Sequence, residues 1–484
     1  MSCFDHTIML KNDGTLWGCG PIGGQLGLGD TNGIYTFTEI TENADDVKSV
    51  YCGYGHTIIL KNDGTLWGCG SNDCGQLGLG DTISKNTFTQ ITTNTNDIKS
   101  IYCGYRNTFL LKKDGTLWGC GLNDYGQLGL GDNTNRTTFI QITTNTNDIK
   151  SVYCGSAYTL ILKKDSTLWG CGTNISGRLG SGSSLTFKQI INDVKLVTCG
   201  DEHALILKND GTLWSTGSNR HGQLGINSIT GTTTYTQITT NVDNIKSIYC
   251  GKYYNIILKN DDTLWGCGRN DYGQLGLGDT NNRKTFTQIT TNVDDIKEIY
   301  CGESYVLILK NDNTLWGCGN NGGGQLGLGN IINTVKTFTE ITINTDDIRC
   351  LANEDTPAII KVYDLNTGLI ETLDTNNFRN IPVNKFEKIK VLYTNPAGTY
   401  INCLVSFDQK QTWKTFNGTS WSTISDTSSN NILLNGMDVS KINKLDKNKL
   451  IQGGFTGDID FKIAMKTNDN TVTPSITKIY ILYC

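Results

Sequence analysis

Only four histidines, His6, His56, His203 and His221, are present to move protons near neutral pH. The first three share one position of a recurring pattern in which Asn107, Tyr158, Tyr254 and Tyr305 stand in other copies. A position that accepts Asn and Tyr cannot depend on a titrating imidazole, so it reads as structural. Cysteine is abundant, but 13 of the 17 fall in two repeated slots. Cys19, Cys69, Cys120, Cys171, Cys267 and Cys318 stand in WGCG, and Cys52, Cys103, Cys154, Cys199, Cys250, Cys301 and Cys350 in a YCG-like element. Zinc sites need convergent close pairs such as CxxC, and the sequence has none. The cysteines read as reduced, small buried hydrophobes, and neither a metal nor another cofactor is expected.

No nucleophile elbow, P-loop or HExxH occurs. Adjacent carboxylates such as Asp45 with Asp46, or Asp294 with Asp295, stand in polar connectors and read as solvated turns; a glycan-hydrolysing pair would have to be assembled in three dimensions. The expectation is therefore a protein that is not an enzyme, with wall-glycan hydrolysis as a remote alternative.

The elements that must position these residues follow from self-similarity. The TLW tryptophans are Trp17, Trp67, Trp118, Trp169, Trp214, Trp265 and Trp316, at intervals of 50, 51, 51, 45, 51 and 51. Within residues 98–148 four strand-length apolar runs recur, IKSIYCG, NTFLLKK, TLWGCGLN and TFIQI. Lys113, Asp114 and Gly115 form the turn between the second and third. The fold class is all-β: a seven-bladed propeller over 1–353. Ser166, Asp262 and Asn313 replace the turn glycine in three copies, and Ser, which tolerates the left-handed region least, predicts another turn type in the fourth blade. The first repeat lacks its innermost strand, and Asp347, Ile348, Arg349 and Cys350 match it. Residues 347–352 should therefore complete the blade begun by 4–40 and remove a free sheet edge.

Composition excludes other classes. Net charge is -5, with 41 Lys+Arg against 46 Asp+Glu, so no broad basic field exists for nucleic acid. No apolar run approaches a membrane span and the N-terminal residues do not form a signal peptide. A soluble protein that is not conventionally secreted is expected.

The segments CGYGHTIILKNDGTLWGCGSNDCGQLGLGD (52–81) and CGYRNTFLLKKDGTLWGCGLNDYGQLGLGD (103–132) resemble the regulator of chromosome condensation repeat family, and the likeness covers roughly residues 1–353. The resemblance implies seven blades with strand-swapped closure. Members of that family include a nucleotide exchange factor for a small GTPase, a plant ultraviolet photoreceptor and a bacterial inhibitor of β-lactamases. Uniform repeats leave no room for the exchange factor's β-wedge. The photoreceptor's GWRHT-type loops are replaced by loops carrying Tyr54, or Tyr105 with Arg106, and the repeated tryptophans read as core. Binding of another protein through one face remains.

Strand parity gathers the connections one-to-two and three-to-four of every blade on a single face. That face holds Tyr54, Tyr105, Arg106, Ser156, Asp201, Glu202, Lys252, Tyr253, Glu303 and Ser304, together with Cys74, Tyr125, Ser176, His221, Tyr272 and Gly323. Here near-identical repeats differ, and the Tyr and Arg content suits a binding surface; free drift of loop tips is the alternative. The glutamines of GQLGLG, Gln25, Gln76, Gln127, Gln223, Gln274 and Gln325, should satisfy backbone groups between blades, with Arg178 in their place in the fourth.

After about 353 the period stops. Strand-like runs at 388–394, 399–407, 458–466 and 476–483, with a short helix capped by Asp438, predict a β-sandwich-like domain over 354–484. CLVSFDQKQTWKTFNGTSWSTI (403–424) and TNDNTVTPSITKI resemble a module of bacteriophage tail proteins from Gram-positive hosts. The resemblance implies a virion tail or baseplate component assembled in the bacterial cytoplasm. Its partners would be other tail or baseplate proteins and a host cell-surface protein or glycan. An intracellular interaction scaffold or protein inhibitor is the alternative.

Overall fold

The second strand of each blade is too apolar to face water on either side. In His56–Lys61, Asn107–Lys112, Tyr158–Lys163, Tyr254–Lys259 and Tyr305–Lys310 every residue is buried. The fourth strand alternates instead, as in Lys85–Ile91, where Phe88 and Ile91 are buried and Asn86 and Gln90 are exposed. Stacked sheets with a half-solvated outer strand satisfy both patterns. In a computed structural model, described over residues 6–352 apart from 22, 30, 31, 331, 346 and 347, and beyond that over the backbone of the strands between 363 and 483, the strands of the first part form seven four-stranded antiparallel sheets. The first strands of successive blades adjoin one another and so line the axis.

The ring closes as the sequence predicts. Ile348–Ala352 pairs antiparallel with Thr7–Lys11, Ile8 opposite Ala352 and Leu10 opposite Cys350. Blade one is then completed by Leu16–Gly20 and Ile34–Ile40.

The hairpin between second and third strands is a self-contained device. In blade two Gly64 N donates to Lys61 O at 3.0 Å and Asp63 accepts from Thr65 N and Oγ1 at 2.8 and 2.7 Å. Thr65 Oγ1 in turn accepts from Trp67 Nε1 at 2.9 Å, and Lys61 Nζ lies 4.6 Å from the Trp67 ring centroid. The tryptophans stand at the rim of the core: each is half-buried, and Trp17, Trp118, Trp169, Trp214, Trp265 and Trp316 pack on a buried apolar cluster with the indole N–H held at the edge. The fourth blade keeps the same turn, against expectation. Ser166 adopts φ 68 and donates to Lys163 O, and its own carbonyl accepts from Val194 N at 2.9 Å. That bond, available because the connector before Val194 is short, holds serine in a conformation it otherwise disfavours.

Blades are joined by recurring bonds across their faces. Thr57 Oγ1 and Cys69 Sγ of blade two both donate to Gln25 O of blade one, at 2.7 and 3.4 Å. The same pair recurs at Gln325 with Thr7 and Cys19, at Gln76 with Thr108 and Cys120, and at Gln127 with Thr159 and Cys171. Where Ala204 lacks the hydroxyl, Thr216 stands in the cysteine slot and donates to Gly177 O at 2.8 Å. The second glycine of GQLG leaves room for the next blade's outer aromatic: a Cβ at Gly78 would meet Phe139 at 2.6 Å, and one at Gly327 would meet Phe37 at 2.8 Å.

The histidine position is structural, as expected. His6 and His56 bond Thr57 and Thr108 of the following blade at 2.8 and 2.9 Å, and His203 bonds Asn255. Tyr158 reaches the carbonyls of Gly200 and His203 in the same way, and Tyr305 reaches His6 O across the closure.

The chain divides into two compact units, Met1–Ile359 and Ile360–Cys484. In the second, Phe386–Thr394 pairs with Ser475–Tyr483, and Thr399–Ser406 pairs with Asp458–Thr467. Asp438 stands in a two-residue strand with Met437, opposite Asn402; the helix expected after it lies outside the described residues, as do the side chains of Trp413 and Trp421.

Burial holds the imidazoles neutral, lowering His6 to about 3 and His56 and His203 to about 4. Unfolded, each titrates near the ordinary imidazole value of 6.5. Below that pH the unfolded chain binds protons that the folded one refuses, so stability falls as pH falls towards 4. The substitution His56→Asn, copying Asn107, removes one of these sites. Thermal unfolding of this variant should lose less Tm than the parent between pH 6.5 and about 4.5; equal losses would contradict the assignment.

Candidate protein-binding face

The connections one-to-two and three-to-four do lie together, and backbone bonds lace the inner ones. Tyr54 N donates to Gly104 O at 3.2 Å, Asp201 N to Lys252 O and Lys252 N to Glu303 O, both at 3.3 Å. Ser156 Oγ donates to Asp201 O at 2.9 Å. Four of the inner loops are thus held by the next blade as well as by their own hairpin.

At the axis, side chains from five blades converge. Tyr54 and Tyr105 stack with centroids 4.3 Å apart. Lys252, on the far side of the ring, places Nζ 5.6 Å from the Tyr54 ring and 5.9 Å from Tyr253. The same ammonium lies 3.6 Å from Asp201 and bonds Glu303. Lys252 is only 16% exposed and Glu303 4%, so this cluster plugs the channel mouth and is half core. Burial pushes the Asp201 carboxyl up to about 6, opposed by Lys252. Burial likewise raises Tyr105 and Tyr253.

Around the plug lie discrete pairs. Arg106 bonds Asp73 at 2.8 Å, with Cys74 Sγ 4.0 Å away and the Tyr105 ring at 5.7 Å. Glu202 takes Arg220 at 2.5 Å and Arg178 at 3.6 Å. Arg220 lies 5.2 Å from the Tyr253 ring, which also meets His221 at 5.4 Å. Tyr272 sits under Arg269, 5.3 Å away, while Tyr125 stands apart and is 50% exposed.

The three-to-four loops are built by an asparagine that the sequence reading passed over. Asn72 is fully buried; its Oδ1 accepts from Leu77 N at 2.9 Å and its Nδ2 donates to Asp81 O at 3.0 Å. Asn123, Asn219, Asn270 and Asn321 repeat this. Its signal was a constant letter in an otherwise varying stretch. The loop glutamine acts within its own loop, contrary to the inter-blade role expected of its side chain. Gln76 Oε1 accepts from Cys74 N at 3.0 Å, and only the main-chain carbonyl crosses to the next blade. Arg178 fills the slot by donating to Ile175 O. Sequence reasoning also missed the exposed apolar residues of these loops: Ile83, Ile175, Ile229 and Ile332 are 65, 61, 57 and 54% exposed. Each was visible as an isoleucine inside a polar loop.

This face offers charged pairs, aromatic planes and isolated apolar tips on a rigid base. Among the described residues no group of three or more His, Cys, Asp or Glu is placed to hold a metal. Such a surface can bind another macromolecule. A closed seven-bladed propeller with one variable loop face defines the class of protein.

Models of the Regulator of chromosome condensation (RCC1) repeat match residues 47–76, 98–127, 194–223, 245–274 and 296–325, and residues 63–111, 114–162, 210–258 and 261–309. Together they span over half of the sequence, and the chain belongs to this repeat family. It is 28% identical over 344 residues to the Ultraviolet-B receptor UVR8 of Arabidopsis thaliana, covering 70% of this chain and 68% of that protein. It is 34% identical over 288 residues to the X-linked retinitis pigmentosa GTPase regulator of Homo sapiens, covering 57% of this chain but only 28% of the regulator. Among solved structures, Prp20p of Saccharomyces cerevisiae superposes with a TM-score of 0.61 at 19% identity over 72% of this chain and 87% of that one, a likeness of fold.

The raised Asp201 carboxyl carries a stability consequence. Between its ordinary value of 3.8 and about 6 the folded state holds a proton that the unfolded state has lost, so stability rises as pH falls through this window. Above it the buried charge is a standing cost. Asp201→Asn should therefore stabilise the protein by about 1–3 kcal/mol at pH 7.5, with the gain gone near pH 4. Denaturant unfolding at both pH values measures it; a loss of stability at pH 7.5 would show that the Lys252 contact outweighs burial.

Proposed function

We propose that the propeller is a protein-interaction module that holds or inhibits a partner protein through its loop face. The observation that carries this reading is the pre-ordered contact between Tyr54, Tyr105, Lys252 and Tyr253, ringed by Arg106, Arg220 and exposed Tyr125 and isoleucines. Aromatic and arginine anchors on a rigid base are what tight interfaces use, because little side-chain freedom is lost on binding. The relatives support it in kind, since one is a receptor and another a GTPase regulator, and Prp20p has binding properties towards Gsp1p and histones.

The narrower reading, a tail or baseplate component of a phage-like particle, is favoured by the sequence of residues 403–424, 436–445 and 461–481 alone. In that reading the second unit docks to the particle and the loop face meets a host protein or glycan. Mass spectrometry of purified particles from the producing cell tests it, and absence of the chain from them would remove it.

The face itself is tested on residues outside the plug. Replacing Ile83, Tyr125, Ile175 and Ile229 together by Ser alters exposed tips and leaves the inter-blade bonds in place. Quantitative cross-linking capture from the producing cell should lose its principal protein partner roughly tenfold or more, as truncation of interface anchors does. An unchanged capture profile from a folded variant would sink the proposal.

A further inference from the structure

The opposite face carries a feature that protein recognition by the loops does not use. Each blade's first strand has a β-bulge at its second residue. The register shifts between Val47 and Ser49, Ile98 and Ser100, Ile149 and Ser151, Val194 and Leu196, Ile245 and Ser247, and Ile296 and Glu298. The residue set out of register is Lys48, Lys99, Lys150, Lys195, Lys246 or Lys297, and in the closing strand the shift falls at Arg349. All seven are basic although the residue that follows varies from Ser to Leu, Glu and Cys. A bulge re-aims its side chain, and the six lysines are exposed. Since these strands adjoin one another within 8 Å, Cα to Cα, around the axis, the result is a ring of cations at the lower channel mouth.

The ring is uneven, and the hairpin residue beside each lysine decides how. Lys246 bonds Asp262 at 3.0 Å and Lys297 lies 3.4 Å from Asn313, in the two blades where Asp and Asn replace the turn glycine. In blades two to five that position is Gly64, Gly115, Ser166 or Gly211. There Lys48, Lys99, Lys150 and Lys195 make no ion pair or side-chain hydrogen bond among the described residues. Most acidic residues in the connectors of this face are engaged by groups of the second-to-third hairpins, while Asp97 accepts from its neighbour Asn96 and Asp148 from Asn147, with Lys164 3.9 Å away. Asp45, Asp243 and Asp294 bond Lys61, Lys259 and Lys310; Asp46, Asp193 and Asp295 accept from Asn62, Asn209 and Asn311. An extended anionic surface laid across the face would meet those outer carboxylates. A compact anion seated on the lysine ammonium groups meets fewer of these carboxylates than an extended one. Lysine at a bulge also blunts a strand edge, but that role is met equally by the tied Lys246 and does not require four partnerless neighbours.

We propose that the arc formed by Lys48, Lys99, Lys150 and Lys195 binds a compact polyanion of the polyphosphate class at the lower mouth of the propeller channel. Multivalent phosphate suits it because each oxygen-rich group takes an ammonium as a point charge, with no demand for a planar fork. The site is independent of the loop face, so failure of one assignment leaves the other standing.

The test is calorimetric titration of tripolyphosphate into the full chain at about 0.02 and 0.15 M salt. Binding that weakens with salt is expected. The triple variant Lys99→Gln, Lys150→Gln, Lys195→Gln should lose roughly tenfold or more in affinity, while Lys246→Gln with Lys297→Gln should lose less than about threefold, because those lysines are already spoken for. These are exposed side chains, and unchanged thermal unfolding of both variants verifies the fold. Absence of binding at low salt, equal affinity of the triple variant and the parent, or tighter binding of a hexaglutamate peptide than of tripolyphosphate would each overturn the proposal.

Discussion

One main-chain carbonyl in each GQLG loop holds this ring together. At Gln325, Gln25, Gln76 and Gln127 it accepts a hydroxyl and a thiol from the next blade, at Gln223 the Asn255 amide and a thiol, and at Gln274 a thiol. Everything around it follows from keeping that oxygen in place. The loop glycines are there so the turn can be tight and the next phenylalanine close; the buried Asn72-type side chain fixes the loop; the glutamine side chain closes it on itself. A buried carbonyl left without these donors costs about 1–3 kcal/mol, and the penalty is repeated around the ring. In blade five, where Ala204 lacks the hydroxyl, Thr216 on the adjacent strand donates instead to Gly177 O, one residue before the glutamine slot, so an inter-blade bond survives at a neighbouring carbonyl.

Repetition made the scaffold legible. Seven tryptophans, a misplaced first strand and its match at Ile348 were enough to give the blade count and the closure, because they are properties of spacing. What spacing could not give was which atoms of a recurring residue do the work. Gln76 was expected to reach the next blade with its side chain, but its carbonyl does so; Trp67 was expected in the core, but its N–H keeps it at the edge. Ser166 defied propensity because a tertiary bond to Val194 held it. Local preference loses to such contacts whenever the backbone is fixed on both sides.

On the loop face the side chains divide into two physical groups. Tyr54, Asp201, Lys252 and Glu303 are half-buried and braced across the channel, so they act as the stiff centre of the surface. Tyr125, Ile83, Ile175, Ile229 and Ile332 are the accessible tips. Variation between repeats marked the braced centre and Tyr125 alike and passed over the isoleucines, since a position freed from the repeat's core can serve either purpose. Only distances and exposure separate them, and the separation decides which substitutions probe recognition and which probe stability.

The closing strand has a meaning in time as well as in space. Ile8 pairs with Ala352, and Tyr305 hands its hydroxyl to His6, so the first blade cannot exist until almost the whole propeller has left the ribosome. Six blades can stack progressively during synthesis, each sheltered by the one before. The first emerging hairpin must wait with an open edge, the contact of longest chain separation being the last to form and the slowest by loop-closure entropy. During that interval the nascent chain is an incomplete spiral with a free edge on each end block, and it is then that the protein has most need of a chaperone.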